Sequence, residues 1–266
     1  NPEFAYQYAK DIDKCPRDDT REATCKNSKW AYFYAKNIDE CSREDTREAS
    51  CQDALWAYWY AKNIDKCPKE NTRNAACKDP ECALFYAEEL DKCPREETRK
   101  AVCKDSKYAY SYALNIDGCP RDDTREVVCR NSDRAFFYAQ YIDECPRDDT
   151  RKAACKDPYY AYEYATKIDN SRPTNETRSS VCAFNYSSRG LDNIYKYAKY
   201  IDKGPHEDTR KACSESAEDA YRYALNIDKG PHEITMRAVC SCTQSLSDYA
   251  FKICNGPNDQ MRIIAC

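Results

Sequence analysis

The chain has 266 residues, with 42 Lys and Arg against 46 Asp and Glu, a net charge of −4 and a pI near 5.5. This balance excludes a generic nucleic-acid-binding protein, which would carry a basic surplus on one face. A mean hydropathy of −0.96 and the lack of any run of about 18 apolar residues exclude a membrane-spanning helix.

Two residue types are strongly enriched, with 23 Tyr and 19 Cys. The tyrosines supply apolar area that the few aliphatic residues do not. The cysteine content indicates an oxidising compartment, so we expect the protein to be extracellular or on a cell surface. Only 5 Gly and 2 His are present, which leaves little material for phosphate loops or imidazole chemistry.

A 26-residue repeat runs through the whole chain and gives ten units, of which the last four are degenerate. One column always holds tyrosine followed by alanine, at residues Tyr8, Tyr34, Tyr60, Tyr86, Tyr112, Tyr138, Tyr164, Tyr197, Tyr223 and Tyr249. Nine units carry an aspartate five residues after this tyrosine, and the tenth has Cys254 at that position. The period places these residues at equivalent positions in successive units.

Each unit is predicted to form two short helices. Asp or Asn caps precede the first helix, as at Asn27 and Asp79, and Pro80 and Pro158 fall at its first position. Within the first helix Ala31, Tyr34, Ala35 and Ile38 form one apolar stripe. The second helix is predicted to begin at the proline after the first cysteine of the unit, for example at Pro16, Pro68 and Pro94.

A unit of this size cannot bury its own stripe, whereas stacked neighbours can. We therefore predict an all-α fold, an α-solenoid of about ten 26-residue helical hairpins reinforced by disulfides. Residues 1–157 would hold six regular repeats, 158–190 an irregular repeat and joint, and 191–266 three degenerate repeats. Together they would make one continuous solenoid.

The pattern Ala-Tyr-x-Tyr-Ala-x-x-Ile-Asp-Lys-Gly-Pro at 220–231 resembles tandem helical-hairpin repeats of uncharacterised phage and giant-virus proteins. The resemblance covers most of the chain and implies the helical-repeat fold. This chain differs by its cysteines and by the aspartate after isoleucine. The resemblance implies no activity.

Most cysteines fall in two columns. The first column runs through six units from Cys15 to Cys145, and the second follows ten residues later in each of these units and recurs in the last four. A straight second helix would hold the two cysteines of one unit too far apart for a bond, so we predict links between neighbouring units. The preferred pairs are Cys25–Cys41, Cys51–Cys67, Cys77–Cys93, Cys103–Cys119 and Cys129–Cys145. A ladder shifted by one unit, from Cys15–Cys51 to Cys145–Cys182, stays open.

The preferred ladder leaves Cys15 and Cys266 unpaired at its two ends. Because 19 is odd, at least one thiol must be free or bonded to another molecule. A bond from Cys266 of one subunit to Cys15 of the next would continue the ladder across a head-to-tail contact, which can propagate as a filament.

The remaining candidates are a structural ladder and a modification. Aspartates and arginines recur with the period and predict repeated ion pairs rather than an enzyme site, which needs one constellation. The ladder residues are Asp39, Asp65, Asp117, Arg21, Arg47, Arg73, Arg99 and Arg125.

The sequons at Asn175 and Asn185 predict N-glycosylation in the irregular joint.

These features predict a structural protein, a subunit of an extracellular fibre or surface appendage that assembles head to tail with itself. No nucleophile–base pair, metal-ligand set or cofactor motif is recognisable, so we predict neither an enzyme nor a bound cofactor. The alternative is a monomeric secreted solenoid that binds glycans or peptides through aromatic residues on a concave face, among them Trp30, Trp56 and Trp59.

Overall fold

The computed structural model describes residues 1–183, 188–256, 259 and 261–262. Its described residues form nineteen α-helices and no β-strand, and successive helices pack in pairs. This confirms the predicted all-helical tandem-repeat architecture.

The helices fall into two sets, and each of the first nine repeats contributes one helix to each set, while the described part of the tenth contributes a first helix. The first helices are α1 (Pro2–Tyr8), α3 (Ser28–Tyr34), α5 (Ala54–Tyr60), α7 (Pro80–Tyr86), α9 (Ser106–Tyr112), α11 (Ser132–Tyr138), α13 (Pro158–Lys167), α15 (Ser188–Lys196), α17 (Ala217–Tyr223) and α19 (Thr243–Lys252). The second helices are α2 (Asp18–Thr24), α4 (Glu44–Ser50), α6 (Glu70–Ala76), α8 (Glu96–Val102), α10 (Asp122–Val128), α12 (Asp148–Ala154), α14 (Asn175–Cys182), α16 (Glu207–Cys213) and α18 (Glu233–Val239).

Most first helices continue into a π-helical turn that the sequence analysis missed. These turns are Ala9–Asp13, Ala35–Asp39, Ala61–Asp65, Ala87–Asp91, Ala113–Asp117, Ala139–Asp143, Tyr197–Asp202 and Ala224–Asp228. Each ends at a residue in the left-handed conformation, such as Lys66 with φ 55° or Gly118 with φ 60°. This residue reverses the chain and leaves the preceding aspartate at the end of the helix.

Local sequence explains where both helices begin. The Asp53 carboxylate accepts the Leu55 N–H at 3.0 Å and so caps α5. The second helices begin two residues later than predicted, because the residue after the proline, such as Arg17, is extended with φ −136°. Asp18 and Asp19 then occupy the first turn of α2, where carboxylates favour the positive end of the helix dipole.

The described residues divide into two compact units, Asn1–Val128 and Cys129–Cys266. In each unit the first helices pack on one another as one layer, and the second helices pack against that layer. The predicted stripe lies in the core, since Ala31, Tyr34 and Ala35 are fully buried. The predicted irregular joint at 158–190 lies inside the second unit, where α13 has no π-helical turn.

Candidate functional site

The repeated chemistry of this chain is a network of tyrosine, threonine, arginine and aspartate side chains, here called the rung. A second helix supplies the threonine and arginine as consecutive residues. The next repeat supplies the tyrosine near the end of its first helix. It supplies the aspartate from the π-helical turn that follows, or, after α13, from Asp169 just beyond the helix. Each rung therefore joins one repeat to the next.

The tyrosine hydroxyl binds the backbone at the start of the preceding second helix. The Tyr60 hydroxyl accepts the Arg43 N–H at 3.0 Å, donates to the Arg43 carbonyl at 3.0 Å and lies 2.9 Å from the Thr46 hydroxyl. Its ring is fully buried, and burial raises the pKa of Tyr60. The equivalent backbone N–H is donated to the hydroxyl groups of Tyr34, Tyr86, Tyr112, Tyr164, Tyr223 and Tyr249.

The arginine binds the aspartate as a fork. Arg73 Nε lies 2.9 Å from Asp91 Oδ2 and Nη2 lies 2.6 Å from Oδ1. Hydrogen bonds to Asp91 raise the pKa of Arg73, and its guanidinium carbon lies 5.8 Å from the centroid of the Tyr86 ring. The same pairing occurs in Arg21–Asp39, Arg47–Asp65, Arg99–Asp117, Arg151–Asp169, Arg178–Asp202 and Arg210–Asp228.

The structure thus brings together the predicted ladder residues Arg21 with Asp39, Arg47 with Asp65, and Arg99 with Asp117. Arg125 is buried and pairs with Asp122 three residues earlier. Sequence reasoning missed the tyrosine–threonine half of the rung. Its signal was the recurrent spacing of 14 residues from threonine to tyrosine, as from Thr46 to Tyr60, which lengthens to 20 from Thr177 to Tyr197.

The predicted disulfides are not seen among the described residues. No disulfide joins any of the cysteines that the structure describes, which include the predicted pairs Cys25–Cys41, Cys51–Cys67, Cys77–Cys93, Cys103–Cys119 and Cys129–Cys145. The second cysteine column lies at the C-terminal ends of the second helices, whereas the first column precedes their N-terminal ends.

The C-terminal ends of neighbouring second helices lie side by side, because Lys78 Nζ binds the Cys51 carbonyl at 3.1 Å. The predicted partners therefore lie at opposite ends of a seven-residue helix, roughly 10 Å long. A disulfide needs Cα atoms about 4.4–6.8 Å apart.

The two cysteine columns also differ in environment. Cys15, Cys41, Cys67, Cys119 and Cys145 of the first column are exposed in the turns. In the second column burial raises the pKa of the Cys25, Cys51 and Cys77 thiols to about 11 and of Cys155 and Cys182 to about 12. These second-column thiols are partly buried, and Cys77, Cys155 and Cys182 pack against the core as small apolar side chains.

The sequon at Asn175 overlaps a rung, because its Thr177 is the rung threonine of that repeat. Asn175 is exposed at the first residue of α14, while Thr177 is fully buried and lies 2.7 Å from the Tyr197 hydroxyl. The threonine that a glycosylating enzyme must recognise is therefore covered in the folded chain. The second predicted site, Asn185, lies outside the described residues, as does Cys266.

Aromatic rings form a row along the first helices of the first unit. Trp30 lies 5.3 Å from Tyr6 and 5.9 Å from Phe33, and Phe33 lies 5.6 Å from Trp56, all between ring centroids. These tryptophans are half-buried, so most of each ring packs between repeats.

Comparison with models of known protein families, with curated proteins and with solved structures found no match. The resemblance to phage and giant-virus repeats stays a prediction. Among the described residues no group of three or more His, Cys, Asp or Glu side chains is arranged to hold a metal ion. Nor is any described helix both long and apolar enough to cross a membrane.

Proposed function

We propose that the protein is a structural subunit of an extracellular fibre or surface appendage, assembled head to tail through its terminal repeats. The observation that carries this proposal is an uncovered apolar face on the first repeat. Phe4, Tyr8 and Ile12 lie at helical spacing on that face and are 70%, 55% and 65% exposed.

The same positions are covered in the next repeat. Trp30, Tyr34 and Ile38 stand 26 residues later and pack against Tyr6 and Ala9 of the first repeat. The face of the first repeat therefore has the shape that a preceding repeat of this kind would cover. A second copy of the chain can supply such a repeat, in a head-to-tail contact that uses two different faces.

A covalent bond from Cys15 to Cys266 of the next subunit belongs to the same proposal. Cys15 is exposed, two residues after the π-helical turn that ends the uncovered face. The extracellular location is proposed from the cysteine content. Mass spectrometry of unreduced protein tests the bond: a Cys15–Cys266 crosslinked peptide supports it, and alkylation of both thiols in assembled protein contradicts it.

Sedimentation velocity over a range of concentrations, with a reducing agent, tests the assembly itself. A variant with Phe4, Tyr8 and Ile12 all replaced by serine is expected to sediment as a monomer where the parent associates. The matched control replaces three exposed apolar residues away from this face, Leu55, Tyr141 and Leu225. The proposal fails if the parent stays monomeric or if both variants associate like the parent.

The second candidate function is binding of glycans or peptides by the aromatic row. It is favoured by rings that stay accessible beside the row, such as Phe85, which is 5.9 Å from Tyr58 and exposed. This function requires monomers in solution. It predicts that glycan-array or peptide-array binding is lost when Phe85 is replaced by alanine and kept when exposed Leu114, on the π-helical turn Ala113–Asp117, is replaced.

A further inference from the structure

The first repeat carries half of a rung. Asp13 ends the π-helical turn Ala9–Asp13, at the position where Asp39 and Asp65 accept the arginine fork of the repeat before them. Asp13 Oδ2 is buried and is the one buried side-chain oxygen or nitrogen without a hydrogen-bond partner in the described part of the chain. Buried carboxylate oxygens almost always have a partner, so this orphan needs an explanation.

The last repeat carries the other half. The arginine position runs through Arg210, then Met236, then Arg262, at intervals of 26 residues. Where methionine replaces arginine, Cys254 replaces the aspartate 18 residues later, so both partners change to apolar groups together. Met236 and Cys254 pack in one apolar cluster with Met261.

Arginine returns in this column at Arg262. Its Nη1 lies 3.2 Å from Asp259, three residues earlier, as Arg151 Nη1 lies 2.7 Å from Asp148. In the internal rungs Nε and Nη2 are the atoms that bind the aspartate of the next repeat. The Arg262 side chain is 68% exposed, against 4–14% for the arginines of internal repeats.

We propose that Arg262 of one copy forms the missing rung with Asp13 of the next copy. Arg262 would present Nε and Nη2 to the carboxylate, keep Asp259 on Nη1, and give the buried Asp13 oxygen its donor. Met261 stands where other repeats have threonine, so this rung consists of the ion pair without the threonine–tyrosine link. The inference rests on the proposed head-to-tail assembly and names its specific contact.

Complementary charge variants test the rung. We expect Asp13→Arg alone and Arg262→Asp alone to sediment as monomers under reducing conditions, because each chain would place like charges at its own junction. An equimolar mixture should associate again, since each variant meets the opposite charge on both sides. Circular dichroism checks that each variant keeps the helical content of the parent.

Milder variants supply the quantitative measurement. Asp13→Asn and Arg262→Gln are each expected to weaken association at least tenfold. The matched controls are Asp11→Asn, on an exposed neighbour, and Arg237→Gln, on an arginine that is also 68% exposed but pairs with Glu233. The controls should change the dissociation constant less than twofold.

The outcomes separate the two proposals. A parent protein that stays monomeric overturns both the assembly and the rung. A parent that associates, with Asp13 and Arg262 variants that associate equally well and a mixture that behaves like either variant alone, overturns the rung and leaves head-to-tail assembly standing.

Discussion

Replacement of Asp91 by asparagine tests how strongly a rung holds two repeats together. The Asp91 carboxylate is fully buried and accepts three contacts of 2.6–3.0 Å from Arg73. Asparagine keeps one acceptor oxygen, turns an amide donor toward the guanidinium and leaves that cation without a counter-charge. Loss of one partner of a buried ion pair lowers the free energy of unfolding by about 3–5 kcal/mol. Because Arg73 is slightly exposed, we expect the lower end of this range, about 3 kcal/mol.

The chain itself suggests the matched double variant, because it replaces one rung by Met236 and Cys254. We expect Arg73→Met alone to cost about as much as Asp91→Asn, since it leaves a buried carboxylate unpaired. Arg73→Met with Asp91→Cys should cost less than either single change, about 1 kcal/mol, because no charge is left buried.

Urea unfolding followed by circular dichroism, with a reducing agent, measures these free energies. Because repeat arrays can unfold in parts, hydrogen exchange of the amides in α6 and α7 localises the effect. Additive losses in the double variant, or a loss below about 1 kcal/mol for Asp91→Asn, would show that the rung contributes little to the repeat interface.

Four further predictions concern individual positions of the repeat. Tyr60→Phe removes the hydrogen bonds of the hydroxyl to the Arg43 N–H and to Thr46, and should lower the free energy of unfolding in urea by about 1–3 kcal/mol. The control Tyr8→Phe, on an exposed ring, should lower it by less than about 0.5 kcal/mol. Because burial raises the pKa of Cys25 to about 11 from 9.0, stability is full below pH 9 and falls as the pH rises toward 11. Peptide-resolved alkylation at about pH 8.5 should modify exposed Cys15 and spare Cys25; equal labelling would contradict this. Lys66→Gly removes a left-handed lysine and should add about 0.5 kcal/mol, while a loss would count against the assigned turn.

The repeat, the helical class and the apolar stripe could be predicted because periodicity appears directly in the residues. The tyrosine at Tyr60 and the alanine at Ala61 recur in register, and both are fully buried. The π-helical turns could not be predicted in this way. The stretch Ala61–Asp65 has no residue that excludes a regular α-helix, and the turn ends at Lys66, a residue type that rarely adopts the left-handed conformation it has there.

The pairing of the cysteines could not be derived from the sequence for a related reason. Cysteine content indicates a compartment, but pairing depends on which ends of neighbouring helices meet. That relation is visible in the contact of Lys78 with the Cys51 carbonyl. The half-rungs at Asp13 and Arg262 could be recognised only from the structure. Their residue types match the internal positions of the same columns, and they differ from those positions only in burial and hydrogen bonding.

Negative-stain electron microscopy of the native, unreduced protein tests the central claim most directly. Head-to-tail assembly through the terminal repeats predicts filaments with a regular axial repeat, which shorten to single particles when Phe4, Tyr8 and Ile12 are replaced by serine. Isolated particles of one chain at every concentration would contradict the account and make the aromatic row the next place to look for a ligand.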